Sequence, residues 1–180
     1  DVATFQSTGS NTVQCINYMR ADGTGIVAAG GNKTVWLPAL IGDAGGILSE
    51  SNNFSFVQMT DGVTHTAYVN WGIPDDFTSL TSLTVVVTAG GTGDALVTFS
   101  ASARNDGDNR AGGGTDDSIA ETTYALTSNL YDYIDVTAAV NGLTLNALEM
   151  MSLKLSRNGG GGADTIGNVL RLVGAFVVYS

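Results

Sequence analysis

Alternation of apolar and polar side chains at a period of two residues constrains this fold more than any other feature. In the segment 80–88, Leu83, Val85 and Val87 fall on one side of an extended chain, with Thr84 among the residues on the other. The segments 94–104 and 148–157 repeat this pattern, whereas helical periodicity is hard to find. Period two with β-branched residues is typical of half-buried strands. We therefore predict an all-β fold.

The spacing of these segments predicts a two-sheet antiparallel sandwich. Its predicted strands are 34–40, 53–60, 64–71, 80–88, 94–104, 119–127, 130–137, 148–157 and 168–179. A jelly roll fits this spacing best, and an immunoglobulin-like sandwich is the alternative. Residues 34–180 are predicted to form this domain. Residues 1–33, weaker in pattern and rich in Gly, Ser, Thr and Asn, are predicted to form an extended N-terminal arm or attachment segment.

Glycine-rich turns separate the predicted strands. Residues 89–93 and 61–62 each lie between two strands, and we predict a hairpin loop at both. The stretch 137–148 is the one that could hold a helical turn. In the last segment, Leu170, Leu172, Gly174, Phe176 and Val178 share one face, and the other face is also largely apolar, which predicts a central strand.

Charge and cysteine content exclude several classes of protein. With 7 Lys and Arg against 17 Asp and Glu, the net charge is -10, which argues against a nucleic-acid partner because such partners need a basic face. The single Cys15 excludes an intrachain disulfide and a Cys-based zinc site. The longest nearly apolar run, 169–179, is interrupted by Arg171 and is too short for a membrane span.

The residues that carry catalytic chemistry are scarce. His65 is the only histidine, no G-x-S-x-G motif supplies a nucleophile, and we predict that His65 is an edge or surface residue of a strand. We therefore predict that the protein is not an enzyme and has no cofactor. An acidic, Gly-rich loop leaves a calcium site open as the alternative to a solvated loop. Its carboxylates are Asp106, Asp108, Asp116 and Asp117.

Aromatic residues and one ion pair are the remaining candidate sites. A carbohydrate platform, or else core edges or a subunit interface, could be formed by Trp36, Tyr68, Trp71, Tyr124, Tyr131 and Tyr133. Of these, Trp71, Tyr131 and Tyr133 are the predicted ligand-binding set, with a host glycan as the ligand. Arg157 and Asp164 flank a loop of four consecutive glycines. An ion pair that pins this loop closed is predicted, with ligand binding or simple exposure as alternatives.

From about residue 34 onward the chain carries a set of motifs in a definite order. The set begins with the aromatic–Leu–Pro strand 35–39 and continues through 56–69, the aromatic and Pro step 71–77 and the Val-rich strand 83–88. It ends with 153–157, a Gly-rich loop, Asp164-Thr165 and a final strand with a near-terminal Tyr. Taken together, these motifs resemble those of small jelly-roll domains encoded in tailed-phage genomes. Residues 1–33 show no such likeness.

This resemblance implies a non-enzymatic virion component, such as a capsid decoration protein, head fibre or tail knob. It implies a homo-oligomer, most often a trimer, on the virion surface, attached by its N-terminal arm to the major capsid protein or another virion protein. Arg157, Asp164 and Thr165 match the family pattern as a structural loop clamp. Two alternatives stay open: an extracellular module that binds a glycan or receptor, and a filament subunit linked by N-terminal strand donation.

Overall fold

A computed structural model describes residues 2–9, 12–19, 31–43, 46–51, 54–105, 107–108 and 115–180. The chain divides into two compact units, 1–31 and 32–180. In the first unit, β1 (Val2–Gly9) and β2 (Thr12–Met19) form an antiparallel pair, with Val2 opposite Met19 and Gly9 opposite Thr12. These two strands lie within the predicted N-terminal arm.

The second unit is built almost entirely of strands. They are β3 (Lys33–Pro38), β4 (Leu40–Ile41), β5 (Ile47–Ser51), β6 (Phe54–Met59), β7 (Thr64–Gly72), β8 (Leu80–Ala89), β9 (Gly93–Arg104), β10 (Thr115–Leu126), β11 (Tyr131–Asp135), β12 (Met150–Asn158) and β13 (Leu170–Tyr179). A short 3-10 helix, Thr137–Val140, lies where the sequence allows a helical turn. Within the described part of the chain, no helix has the length and apolarity that a membrane crossing needs.

The strands form two antiparallel sheets with jelly-roll connectivity. Sheet I has the order β10-β9-β12-β7-β4, and sheet II has the order β11-β8-β13-β6-β5 with β3 also paired to β13. The eight strands β6 to β13 fall into two sets of four, β6-β13-β8-β11 and β7-β12-β9-β10, which is the order of two interleaved Greek keys. The predicted all-β sandwich of jelly-roll type is confirmed.

The core lies between the inner faces of the two sheets. Ala95, Val97 and Phe99 on β9 are at most 1% exposed, and Leu153 and Leu155 on β12 are equally buried. On the facing sheet, the predicted row Leu83, Val85 and Val87 closes the core from the other side. The alternation in the sequence therefore assigns the inward faces of these strands correctly, because a half-buried strand must direct every second side chain inward.

Both predicted hairpin loops are wrong. Strand β8 pairs with β11 and β13, whereas β9 pairs with β10 and β12, so residues 90–92 carry the chain from sheet II to sheet I. The turn at Asp61-Gly62 likewise connects β6 in sheet II to β7 in sheet I, and Gly62 has the positive φ of 80° that such a reversal requires. A glycine turn reverses the chain, but the partner of each strand depends on the packing of the whole sandwich.

The last strand is central, as predicted, but its faces exchange midway. The pairing of β13 with β8 shifts register between Leu172 and Gly174, which marks a β-bulge. Leu170 and Leu172 therefore face the core together with Ala175, while Phe176 lies on the outer face. The predicted single row from Leu170 to Val178 is wrong beyond Leu172, because one extra residue moves every later side chain to the opposite face.

Candidate functional site

The outer face of sheet II carries an open groove lined with aromatic rings. Its volume is about 340 Å³. The residues that line it, named the aromatic groove below, are Trp36, Phe54, Val86, Tyr131, Tyr133, Val173 and Phe176. Exposed apolar surface is what proteins present to ligands and partners, which makes this groove the candidate site.

Strand alternation and the bulge in β13 place these side chains together. On β11, Ile134 faces the core, so that Tyr131 and Tyr133 must face outward. On β6, Val57 and Met59 face the core, which leaves Phe54 and Phe56 on the outer face. The bulge then brings Val173 and Phe176 of the central strand to the same face, where Phe56, Val86 and Val173 form a second small buried cluster.

The rings of the aromatic groove contact one another and remain open to solvent. Trp36 lies 4.7 Å from Phe176 between ring centroids, and Tyr133 stacks on Phe176 at 6.5 Å with an interplanar angle of 11°. Phe54 and Tyr131 meet at 5.8 Å. The exposed fractions are 41% for Trp36, 48% for Tyr131, 53% for Phe54 and 65% for Tyr133. The groove therefore offers fixed ring faces at low entropic cost to a ligand.

Glycine at position 174 makes room for the indole of Trp36. A Cβ built on Gly174 would lie 2.3 Å from the carbonyl oxygen of Leu37 and 2.5 Å from the Trp36 ring. Because β3 pairs with β13 with Phe176 opposite Trp36, the ring lies back along β13 over the glycine. The absence of a side chain at this position thus sets the orientation of Trp36 in the aromatic groove.

Trp71 does not belong to this site, and its predicted place in a ligand-binding platform is wrong. It is 2% exposed on the inner face of β7, where its ring packs against Phe77 and Tyr179 at 5.6 Å each. Tyr131 and Tyr133 do lie together at the surface, and Trp36, one of the wider set of candidates, takes the place of Trp71. The signal for Trp36 is Gly174, two residues before its cross-strand partner Phe176, and it can be recognised only once the strand pairing is known.

The buried ion pair of Arg157 and Asp164 lies at the end of the sandwich. Arg157 is 0% exposed, and its Nε and Nη2 donate to the two carboxylate oxygens of Asp164 at 3.0 and 2.8 Å. The remaining donors reach backbone carbonyls of Met59, Ile166 and Asn168. Next to the pair, the Thr165 hydroxyl accepts a hydrogen bond from the Asp94 amide at 2.8 Å.

The carboxylates of the proposed calcium site have separate partners. Asp106 lies outside the described residues, and Asp108 accepts a hydrogen bond from the amide of Asn105. Hydrogen bonds from Ser102 and then Arg104 lower the pKa of Asp116, while Asp117 accepts from the amide of Gly142. Among the residues that the structure describes, no group of three His, Cys, Asp or Glu side chains is placed to hold a metal ion.

His65 is buried, and the prediction of an edge or surface residue is wrong. It is 8% exposed, with Nε2 at 2.8 Å from the Thr60 hydroxyl and Nδ1 at 3.2 Å from an Asp43 carboxylate oxygen. In space, the hydroxyl, imidazole and carboxylate follow one another in the same order as in a catalytic triad. The same carboxylate also accepts hydrogen bonds from Gly46 and Thr66, which ties the loop after β4 to β7.

No family model and no curated protein matches the sequence. Among solved structures, similarity is found to TmCBM61 in complex with β-1,4-galactotriose, at 8% identity and a TM-score of 0.38, covering 83% of this chain and 88% of that one. It is also found to exo-β-1,3-galactanase from Phanerochaete chrysosporium with galactose, at 15% identity and a TM-score of 0.42. That match covers 93% of this chain and a third, 33%, of the galactanase. At this level neither assigns a ligand to this chain, and the virion resemblance stays a prediction.

Proposed function

We propose that residues 32–180 are a non-catalytic module that binds a carbohydrate in the aromatic groove of sheet II. The observation that carries the proposal is the set of aromatic rings fixed in place and open to solvent on one face of a rigid sheet. Trp36, Tyr131 and Tyr133 each present a ring face and a polar tip. A ligand with both apolar and polar surfaces matches such a set.

A sugar ring has this mixed character. One face of a pyranose presents C–H groups, which pack against an aromatic ring, and the edge presents hydroxyls, which hydrogen-bond to phenol and indole groups. Binding sites of this kind combine apolar walls with a few polar groups that fix orientation.

The experiment is a glycan array with the full chain, followed by calorimetric titration of each glycan that binds. We expect Tyr133→Ala to abolish or strongly weaken binding, because its ring is the most exposed of the groove and stacks on Phe176. Met150→Ala is the matched control, since Met150 is an exposed apolar residue, 57% accessible, on sheet I. Failure of every glycan to bind, or equal binding by Tyr133→Ala, would falsify the proposal.

A second candidate function is a self-associating structural component, as the virion resemblance implies. The observation that favours it is the edge of the sandwich where β4 and β5 leave four large apolar side chains 43 to 58% exposed. They are Leu40, Ile41, Ile47 and Leu48. Edge strands with exposed apolar residues are open to pairing with another chain. The occupant that we propose for this edge is a second copy of the protein.

Size-exclusion chromatography with light scattering tests this candidate. A mass of three subunits that falls to one in Leu48→Lys supports it, because a buried lysine at the interface would be desolvated without a partner. Thr122→Lys on β10, at the opposite edge of sheet I, is the charge-matched control. A monomer at all concentrations overturns this candidate and leaves the carbohydrate module unaffected.

A further inference from the structure

Arg171 lies on the same outer face as the aromatic groove, in a cross-strand row that includes Tyr131. On β13 it is opposite Gln58 of β6 on one side and Thr88 of β8 on the other. Thr88 in turn is opposite Tyr131 of β11. One strand therefore separates Arg171 from Tyr131, a distance of roughly 10 Å at the usual spacing of strands.

The guanidinium of Arg171 is held in place but has no polar partner in the described part of the chain. It stacks over the ring of Phe56, 5.3 Å from the centroid. Its Nε is buried and makes no hydrogen bond. Arg171 forms no salt bridge with any described carboxylate, although acidic residues outnumber basic ones in the chain by 17 to 7. The two terminal Nη groups are not among the buried unpaired atoms, so they are the donors that the stacked guanidinium presents to a planar anion.

On this face the positive charge of Arg171 and the negative charge of Asp135 lie on opposite sides of the aromatic groove. Asp135, two residues beyond Tyr133 on the outward side of β11, is opposite Thr84. Hydrogen bonds from the hydroxyl and amide of Thr137 lower its pKa, so the carboxylate is ionised at neutral pH. Arg171 and Asp135 therefore lie in different cross-strand rows on either side of the row that holds Tyr133 and Val86. An anionic group is favoured at the Arg171 side alone.

We propose that the carbohydrate bound in the aromatic groove is acidic and that Arg171 receives its carboxylate, as in a glycan that contains uronic acid. This inference rests on the proposed carbohydrate function. Tyr131 and Tyr133 pack against the sugar rings, and Arg171, about one disaccharide away, donates paired hydrogen bonds to the carboxylate. Arg–carboxylate pairs take this two-pronged geometry because the donor fork and the acceptor oxygens match. Asp135 orients the chain by repelling the carboxylate from the other side.

The experiment compares tetragalacturonate with its fully methyl-esterified form, since esterification removes the negative charges and keeps the same chain of sugar rings. By calorimetric titration of the full chain we expect the acid to bind more tightly than the ester. Arg171→Met should weaken binding of the acid about tenfold or more, which is the usual magnitude for a lost charge-assisted hydrogen bond, and leave the ester unchanged. Lys154→Met is the control, because it removes one positive charge from the outer face of sheet I.

Each other outcome overturns the inference in a recognisable way. Equal binding of acid and ester, or an equal loss in Lys154→Met, means that no carboxylate is received at Arg171, while the carbohydrate proposal stands. Binding of a tetraglutamate peptide as tightly as tetragalacturonate means that the ligand is an acidic peptide and not a glycan. If neither tetragalacturonate nor its ester binds, uronic acid glycans are excluded, and the array with Tyr133→Ala decides the carbohydrate function separately.

Discussion

Arg157 and Arg171 differ in their burial and in the polar groups that surround their guanidinium groups. Arg157 on β12 is fully buried, and each of its guanidinium nitrogens donates to a carboxylate or a backbone carbonyl. Arg171 on β13 is half-buried on the outer face, where it stacks on an aromatic ring and makes no hydrogen bond or salt bridge with any residue that the structure describes. A buried cation needs complete pairing to be tolerated. We infer that the first arginine holds the structure and that the second is available to a ligand.

The largest effect is expected for Arg157→Met. It removes the cation and leaves the fully buried carboxylate of Asp164 without its ion-pair partner, which costs about 3–5 kcal/mol of unfolding free energy. Urea denaturation at neutral pH measures this loss. Arg104→Met is the control, because its pair with Asp116 is exposed and should contribute about 0–1 kcal/mol. If the two variants lose the same stability, the Arg157 pair does not clamp the loop.

A second loss of stability is expected for Gly174→Ala, on β13, the strand that also carries Arg171. The new Cβ would collide with the Leu37 carbonyl and displace the Trp36 ring, at a cost of about 1–3 kcal/mol. Tryptophan fluorescence and thermal denaturation report the displacement and the loss together. Gly72→Ala, on strand β7, has no atom within 4 Å of the new Cβ and should be neutral or slightly stabilising. A neutral Gly174→Ala would mean that Trp36 is not fixed by this contact.

The same substitution at the other arginine, Arg171→Met, should change the unfolding free energy by less than about 1 kcal/mol. The substitution loses the stacking of the guanidinium on Phe56, which contributes about 0.5–1 kcal/mol. It also removes the unpaired Nε donor, whose burial is unfavourable, and the two effects partly cancel. Parallel urea titrations of Arg157→Met and Arg171→Met test the contrast directly. A loss of several kcal/mol in Arg171→Met would show a structural role and remove the basis for a ligand at this side chain.

The smallest effect concerns Asp135, the acidic group of the same face. Its pKa in the folded protein lies below the ordinary value of 3.8, so ionisation stabilises the fold above that value, and the contribution is lost as the pH falls through the folded pKa. The group is largely exposed, and we expect well under about 1 kcal/mol. The stability difference between wild type and Asp135→Asn should therefore shrink on acidification from pH 6 to below pH 3.

Asp132→Asn on the same strand is the matched control, because this carboxylate accepts one hydrogen bond, of 3.4 Å from the Thr127 amide, whereas Asp135 accepts two shorter ones from Thr137. We expect Asp132→Asn to change the unfolding free energy at neutral pH less than Asp135→Asn does. A pH-independent difference for Asp135→Asn would contradict the assignment of the Thr137 hydrogen bonds as the stabilising contacts.

The inward faces of most strands could be predicted from the sequence. Rows such as Ala95, Val97 and Phe99 alternate without interruption, and a half-buried strand admits one orientation of such a row. The jelly-roll class followed from the number and spacing of these rows. Only part of the aromatic groove could be predicted from the sequence. Tyr131 and Tyr133 are predicted surface aromatics, whereas the sequence does not distinguish the exposed Trp36 from the buried Trp71.

Trp36 and Trp71 show why that distinction needed the structure. Each lies in an alternating strand beside other apolar residues, and nothing local reveals which sheet face is covered. Trp71 is buried because its strand faces β8 and β13 across the core, whereas Trp36 lies over Gly174 on the outside. The burial of His65 has the same kind of cause, since the carboxylate beside its ring belongs to Asp43, 22 residues earlier in the chain.

By itself, the sequence determined that this chain is an all-β sandwich with an acidic surface, because alternation and composition act through each residue's own burial and charge. Tertiary structure alone decided that the glycine turns at 61–62 and 90–92 cross between sheets, and that a bulge after Leu172 turns Phe176 outward. It also decided that Arg157 is paired, whereas Arg171 has no polar partner among the described residues. These outcomes depend on partners distant in the chain, and strand pairing is what brings such partners together.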